Sequence, residues 1–166
     1  MALENFELPL SIVSQGDVSR LKRELEALDE YIKQANLRKP GTPLKTLPKE
    51  SVVLSEFAEL NKLNLLTDND RSRAITFASE LNDNAPVVHI SFAADPSAMF
   101  MNKITAWFRQ NINNLILVNV GLEPSIAVGC TLRTDNKFHD FSLRKHFESQ
   151  RPFLLSKLKE SRPVSK

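Results

Sequence analysis

The side chains best suited to chemistry lie close together in the last third of the chain. The stretch GCTLRTDNKFHDFSLR, residues 129–144, holds the only cysteine together with a histidine, two aspartates and a serine. A thiol or hydroxyl beside a histidine and a carboxylate could form an activated nucleophile with its base. The arginines and lysine of the same stretch could instead contact phosphate groups. The elements that position these side chains decide between the two.

The local pattern favours a hairpin over a catalytic site. Asp135 and Asn136 are residue types that tolerate the positive φ of a tight two-residue turn. Such a turn predicts four opposed pairs across the hairpin: Thr134 with Lys137, Arg133 with Phe138, Leu132 with His139, and Cys130 with Phe141. Neighbours in a strand point to opposite faces, so His139 and Asp140 diverge. One face then carries Cys130, Leu132, His139 and Phe141, and the other carries Thr131, Arg133, Phe138 and Asp140.

The polar residues that follow the hairpin also have structural interpretations. Ser142 is a good N-cap for a helix that starts at Leu143, and Arg144 and Glu148 are i,i+4 partners on that helix. The three histidines show no ligand spacing, one cysteine cannot build a structural zinc site, and neither Gly-rich nucleotide motif is present. We therefore expect no catalytic, cofactor-binding or metal-binding residues, and no enzyme.

Composition describes an ordinary globular chain. Of 166 residues, 42% are apolar and 25% charged, and the single thiol fits a reducing compartment. We expect neither a membrane span nor a secretory signal, since no long apolar run and no basic N-terminal region occur. Net charge is +2, yet residues 144–166 contain seven Lys or Arg and two acids. That basic segment is either a solvated helix face or a surface for phosphate, anionic lipid or an acidic partner.

The N-terminal region, residues 1–85, is predicted to be helical, with a proline-rich interruption at 38–50. Asp17 is expected to cap a helix that runs to about residue 37, with apolar residues in a 3-4 spacing. This seam comprises Val18, Leu21, Leu25, Leu28 and Ile32. It predicts a stripe of a small bundle, ahead of a coiled coil with a partner helix. Two further helices are predicted, one from Ser51 with Leu54, Phe57 and Leu60 inward, and one capped by residues 67–70 with Ala74, Ile75, Ala78 and Leu81 inward.

Strand periodicity begins after Pro86, and residues 86–150 are predicted to form an α/β domain. Val88, Ile90 and Phe92 alternate with more polar residues, and residues 115–120 form an apolar run typical of a buried strand. Between them Asp95 and Pro96 predict the start of a helix with a core face of Phe100, Ile104, Trp107, Phe108 and Ile112. This is a βαβ pattern, predicted to be parallel and right-handed. A third strand would carry Val128, Cys130 and Leu132 on one face.

The predicted fold class is therefore α+β, an N-terminal helical bundle followed by a small βαββα-type C-terminal domain. Residues 151–166 form a basic tail or helix.

Residues 124–144, PSIAVGCTLRTDNKFHDFSLR, resemble the C-terminal domain of the delta subunit of F-type ATP synthase. The mitochondrial counterpart of that family is the oligomycin-sensitivity-conferring protein. The matching motif residues are Pro124, Ser125, Gly129, Arg133, Lys137, Asp140, Ser142 and Arg144. Val128 and Asp135 stand where the family usually has glycine. The segments VVHISFAAD and FASEL are similar to the family's entry strand and connecting helix, whereas the N-terminal helical region is shorter than the family's.

The resemblance implies a non-catalytic stator component, which links the peripheral stalk to the catalytic head of a proton-translocating ATP synthase. Its implied partners are subunit b and the alpha subunits, without small-molecule substrate or nucleic acid. Its implied location is the cytoplasmic face of the cell membrane, peripheral and held only through the complex. The candidate stalk-binding residues, which could equally close the domain's own core, are Phe138, Leu143, Phe147, Phe153, Leu154 and Leu158. The seam from Val18 to Ile32 is the other candidate contact with a partner helix.

Two other classes remain open from the sequence. Residues 51–81 can be interpreted as a helix-turn-helix, and the basic tail would also suit nucleic acid. Against this interpretation, the second helix has no cluster of Lys or Arg beyond Arg71 and Arg73. A small enzyme using His139 and Asp140 is the second alternative.

Overall fold

A computed structural model describes residues 6–37, 50–134 and 136–160. Within these residues the chain is a mixed α/β protein with five α-helices, mostly N-terminal, and one four-stranded sheet, in agreement with the α+β class. The helices are α1 (Gln15–Leu37), α2 (Val52–Leu60), α3 (Asp68–Asn84), α4 (Ala98–Asn111) and α5 (Leu143–Glu160). The strands are β1 (Val87–Phe92), β2 (Leu117–Leu122), β3 (Cys130–Arg133) and β4 (Phe138–Asp140), and a short 3-10 helix spans Pro124–Ile126.

The strands lie in the order β2-β1-β3-β4, and β3 is antiparallel to both of its neighbours. β1 and β2, the two strands of the predicted βαβ unit, are thus adjacent. The chain divides into two compact units, one of Met1–Val87 with Ala98–Asn119 and one of Val88–Ser97 with Val120–Lys166. The predicted domain limits at residues 85 and 150 stay a prediction.

A capping box lies at the start of α1, in the first unit. Ser14, not Asp17, caps α1: the Asp17 N–H lies 3.3 Å from the Ser14 hydroxyl, and the Asp17 carboxylate accepts from the Ser14 N–H at 2.9 Å. The helix therefore starts earlier than predicted, because Asp17 is the third helical residue and reaches back to the cap.

The seam of α1 lies inside this first unit. Val18, Leu21, Leu25 and Leu28 are buried, and Ile32 is half-buried. Residues of α2, α3 and the segment before α1 complete the same core, among them Phe6, Leu54, Phe57, Ala74, Phe77, Ala78 and Leu81. This arrangement agrees with the bundle interpretation, and it leaves the four buried seam residues no surface for an outside helix. Leu60 is exposed, contrary to prediction, because α2 ends there.

Arg71 is the least expected member of this core. Its side chain is 0% exposed and lies 3.0 Å from an Asp29 oxygen. Its other nitrogens donate to the carbonyl oxygens of Leu65 and Leu66, at 3.0 and 2.9 Å, and to the Asp68 carboxylate. The guanidinium thus joins α1, the α2–α3 loop and the first turn of α3. It cannot serve as a phosphate contact on a recognition helix.

The Asp29 carboxylate makes the contribution of this network to folding stability depend on pH. The hydrogen bond from Lys33, at 2.6 Å, and then Arg71 hold the pKa of this carboxyl below its ordinary value, against the opposing effect of burial. A lowered folded-state pKa stabilises the fold above the unfolded pKa of about 4, and this contribution is lost as pH falls through the folded value. We expect Asp29→Asn to lower the free energy of unfolding by about 1 kcal/mol at pH 6. Urea titrations should show this difference shrinking at pH 3 and below, whereas an equal difference at both pH values would contradict it.

A half-buried arginine of α4 anchors the segment before α1. The Arg109 guanidinium donates to the carbonyl oxygens of Leu8 (3.2 Å), Pro9 (2.9 Å) and Ile12. Burial lowers the pKa of Arg109 to about 10, so the group stays protonated at neutral pH. One charge on α4 thus binds three carbonyl groups of this segment, of which the Pro9 carbonyl also accepts from the Ile12 N–H at 3.1 Å.

The buried face of α4 agrees with the prediction at Phe108 and differs from it at the other buried positions. Met101, Thr105 and Phe108 are buried, whereas Phe100, Trp107 and Ile112 are exposed. Ile104 is half-buried. Both sets follow helical spacing, and the polar type of Thr105 concealed the true stripe. The helix also starts at Ala98, two residues after the predicted Pro96.

The strands of the second unit present one apolar face. Val88, Ile90 and Phe92 are buried, as their alternation predicted, and Ile90 and Phe92 pair with Leu132 and Cys130. Val128 is exposed and precedes β3, so it does not extend this face as expected. The apolar run at residues 115–120 was predicted to be a buried strand. Only Ile116, Leu117 and Val118 of this run are buried, so the prediction is correct for part of the strand.

Candidate partner-binding groove

The hairpin of the second unit has the predicted register. Thr131, Leu132 and Arg133 pair with Asp140, His139 and Phe138. The Thr134 N–H donates to the Lys137 carbonyl at 2.9 Å, and the Phe141 N–H donates to the Cys130 carbonyl at the same distance. Asp135, half of the predicted turn, lies outside the described residues. His139 and Asp140 occupy opposite faces, so they do not form a joint site.

A close backbone crossing joins this hairpin to α5. Gly129 has φ +102°, and a Cβ there would lie 2.4 Å from the Phe141 carbonyl oxygen. The Leu143 N–H donates to the Val128 carbonyl at 2.9 Å, which ties the first residue of α5 to the segment before β3. The Asp140 carboxylate accepts from the Ser142 N–H at 2.8 Å. The helix therefore starts at Leu143, as predicted, in a fixed position on the hairpin.

A strained turn lies directly before this crossing. Ala127 has φ 61° and ψ −57°, and the Val128 N–H donates to the Ile126 carbonyl at 2.8 Å. These values define the rare γ-turn with positive φ, which is strained for any residue with a Cβ. Ile126 is buried and holds the preceding 3-10 helix in place. Nothing in the sequence marks Ala127, because alanine has no preference for this conformation.

A groove runs between this turn and α5. It encloses about 510 Å³ and is lined mainly by apolar atoms. Its walls are Ser125, Ala127, Leu143, Arg144, Phe147, Glu148, Arg151 and Leu154. Phe147 is 54% exposed, although side chains of this size usually bury most of their surface. The groove is thus an open, mainly apolar surface on α5.

Charged side chains border the same groove. The Arg144 guanidinium lies 3.2 Å from a Glu148 carboxylate oxygen, which is the predicted i,i+4 pair. Both side chains are largely exposed, so the pair contributes only about 0–1 kcal/mol to stability. Arg151 lies two helical turns beyond Arg144 on the same wall. A partner could therefore replace the Arg144–Glu148 ion pair with its own contacts at little loss of stability.

The structure separates the six predicted stalk-binding residues. All six are exposed, and Leu143, Phe147 and Leu154 line the groove. Leu158 continues their stripe one turn further, whereas Phe153 lies on another side of α5 because it precedes Leu154 by about 100°. Phe138 pairs with Arg133 across the hairpin and does not line the groove. It borders a separate polar concavity of about 630 Å³ with His89, Ser91, Glu123, Thr131, Arg133 and Thr134.

The motif residues mostly shape the backbone around the groove. Pro124 and Ser125 begin the 3-10 helix, where the Ser125 hydroxyl donates to Glu123 at 3.0 Å. Gly129 permits the crossing, Lys137 closes the hairpin through its carbonyl, and Arg133 ends β3. Sequence reasoning missed Ala127 and Arg151. The helical spacing of Arg151 from Arg144 was the one available signal for the second.

The residues that the structure describes include one free thiol, at Cys130. Burial raises the pKa of the half-buried Cys130 thiol, which favours the protonated form over the nucleophilic thiolate. Within residues 6–37, 50–134 and 136–160, no three His, Cys, Asp or Glu side chains gather to hold a metal ion, and no helix is long and apolar enough to cross a membrane. In comparisons with known proteins, no protein family matches the chain and no curated protein matches it.

Proposed function

We propose that this chain is a non-catalytic stator component of a proton-translocating F-type ATP synthase. It links subunit b of the peripheral stalk to the alpha subunits of the catalytic head, at the cytoplasmic face of the cell membrane. One observation carries the proposal: the residues that resemble the delta-subunit motif build the joint that presents the open groove on α5. The finer layout that we propose is an N-terminal helical bundle followed by a βαββα-type domain.

The groove supports binding of a helix in particular. Grooves lined by apolar residues at helical spacing commonly accept the apolar face of another helix. Leu143, Phe147 and Leu154 supply such a lining along one side of α5. In the resembling family this domain binds the C-terminal helices of subunit b, and we assign the same role to this groove. Contact with alpha falls to the outer surface of the first unit, because its seam is buried.

The two arginines of α3 give the nucleic-acid alternative little support. Arg71 is wholly buried, and Arg73 lies 3.7 Å from Asp70 and over the Phe6 ring at 5.4 Å. A recognition helix needs cations that reach phosphates or bases, and α3 offers few. The enzymatic alternative requires His139 and Asp140 to act together, and they lie on opposite faces of the hairpin.

Affinity purification of the tagged chain from native membranes tests the proposal. Recovery of the alpha, beta and b subunits of ATP synthase is the expected result. Recovery of ribosomes or DNA without these subunits would sink it.

A substitution in the groove sharpens this experiment. Phe147→Asp places a charge on the apolar wall, and we expect recovery of subunit b to fall at least tenfold, about 1.4 kcal/mol, while alpha is retained through the first unit. Val52→Asp is the matched control, since Val52 is exposed in the first turn of α2, where an acidic residue suits the helix dipole. Quantitative blotting of captured subunits measures both. Equal loss of b in the two variants would contradict the assignment of the groove.

A further inference from the structure

We propose that the groove receives an acidic amphipathic helix that lies along α5, with carboxylates that pair with Arg144 and Arg151. This inference rests on the stator function proposed above and adds the chemistry of the partner's surface. Three features support it: the spacing of the apolar stripe, the charges beside it, and the fixed wall opposite it.

The stripe extends along most of α5, which has Pro152 in its interior between the two halves of the stripe. Leu143 and Phe147 are four residues apart, and Leu154 and Leu158 repeat the pair eleven residues later. Eleven residues make three turns at 3.67 residues per turn, close to the natural period of the helix. The stripe therefore stays on one side of α5 over about 22 Å, at about 1.5 Å per residue. A partner with the same eleven-residue repeat can follow it without the left-handed winding of a heptad coil.

The charges beside the stripe are mainly positive. Arg144 and Arg151 flank it on one side, and Lys157 lies on the other side. Glu148 is the one acid in residues 147–158, and it already pairs with Arg144 at 3.2 Å. Carboxylates on a partner helix would complement the two arginines, whose planar guanidinium groups favour bidentate pairs with carboxylates.

The opposite wall of the groove is preformed. The γ-turn at Ala127 and the crossing at Gly129 fix the backbone that faces Leu143 and Phe147. A partner that enters this groove orders few new residues, which lowers the entropic cost of binding. The small Ala127 side chain also lets a helix approach closely.

Two other occupants fit less well. In an antiparallel pair of two copies of this chain, Leu143 would meet Leu158 and Phe147 would meet Leu154, but the Arg151 side chains would come to the same level and repel each other. An anionic lipid surface would suit the cations. However, a lipid surface would leave unused the concave wall at Ser125 and Ala127 that lies opposite Leu143 and Phe147.

Peptide binding to the full 166-residue chain tests the inference. The probe is a synthetic helical peptide of two eleven-residue repeats, with glutamates on the flank that would face the arginines. The control peptide has lysines at those positions. We expect at least about tenfold tighter binding of the glutamate peptide by calorimetry. The double variant Arg144→Glu/Arg151→Glu should reverse this order, whereas Lys103→Glu, at an exposed position on α4, should leave it unchanged.

Each other outcome is decisive. Equal affinity for the two peptides overturns the inference. If subunit b is nevertheless captured from membranes, the proposed stator function still holds, without an acidic partner helix in the groove. Preference for the glutamate peptide without capture of ATP synthase subunits supports the inference and sinks the stator function. Two results reassign the groove and overturn the inference: dimerisation that the double variant abolishes, or binding to phosphatidylglycerol-containing vesicles without any peptide preference.

Discussion

Replacing Gly129 with alanine is expected to lower the stability of the second unit by about 3 kcal/mol or more. Two independent penalties add at this position. The backbone has φ +102°, which residues with a Cβ rarely adopt, and the new methyl group would lie 2.4 Å from the Phe141 carbonyl oxygen. The obstacle is backbone rather than a flexible side chain, so relief requires movement of the crossing itself. Hydrogen exchange in β3, β4 and the first turns of α5 should accelerate together.

Gly16 provides the matched control for this substitution. A Cβ on Gly16 would meet only the Ser14 hydroxyl, at 3.4 Å, and Gly16 lies within α1. Since alanine favours a helix over glycine by about 1 kcal/mol, Gly16→Ala should be neutral or stabilising. If the two variants unfold at the same urea concentration, the tight crossing at Gly129 is not a constraint on the fold.

Replacing Arg71 with methionine should cost the first unit about 3–5 kcal/mol. Methionine retains much of the buried volume, so the loss is chiefly electrostatic. The Asp29 carboxylate loses an ion-pair partner at 3.0 Å, and the carbonyl groups of Leu65 and Leu66 lose their donors. Unpaired buried polar groups are costly because water cannot replace the missing partner. Urea denaturation followed by helical circular dichroism measures the change.

Arg73→Met is the control on the same helix. Its guanidinium is partly exposed, pairs with Asp70 at 3.7 Å and lies over the Phe6 ring. A contact of this kind contributes about 1 kcal/mol or less, so this variant should unfold close to the wild type. A loss at Arg73 as large as that at Arg71 would show that burial of Arg71 is not the source of its effect.

Local signals in the sequence predicted the hairpin and its helix. Turn-forming residues, strand alternation and the cap at Ser142 all act within a few residues of one another, and the register that they imply is the one observed. The spacing of the apolar residues likewise predicted the buried seam of α1. In α4 two overlapping stripes that share Phe108 fit the helical period, and only packing selected Met101 and Thr105 over the more apolar residues of the predicted stripe.

Only part of the groove could be predicted from the sequence. Its apolar members follow from helical spacing, but the separation of Phe138 from them depends on which face of the sheet each strand presents. The burial of Arg71 depends on partners distant in the chain, and charged residues are usually assigned to the surface. Strain at Ala127 leaves no mark in residue type, because it is imposed by the contacts on either side.

The joint before α5 also determines how the unit would carry mechanical load. A pull on α5 reaches the sheet by two routes, through the chain at Ser142 into β4 and through the Leu143–Val128 hydrogen bond into the segment before β3. Both strands of the hairpin are then loaded at the same end. The chain at Ser142 is covalent, so the single Leu143–Val128 hydrogen bond is the route that yields first. In a stator component of the kind proposed, β3 carries load together with β4 for as long as this hydrogen bond holds.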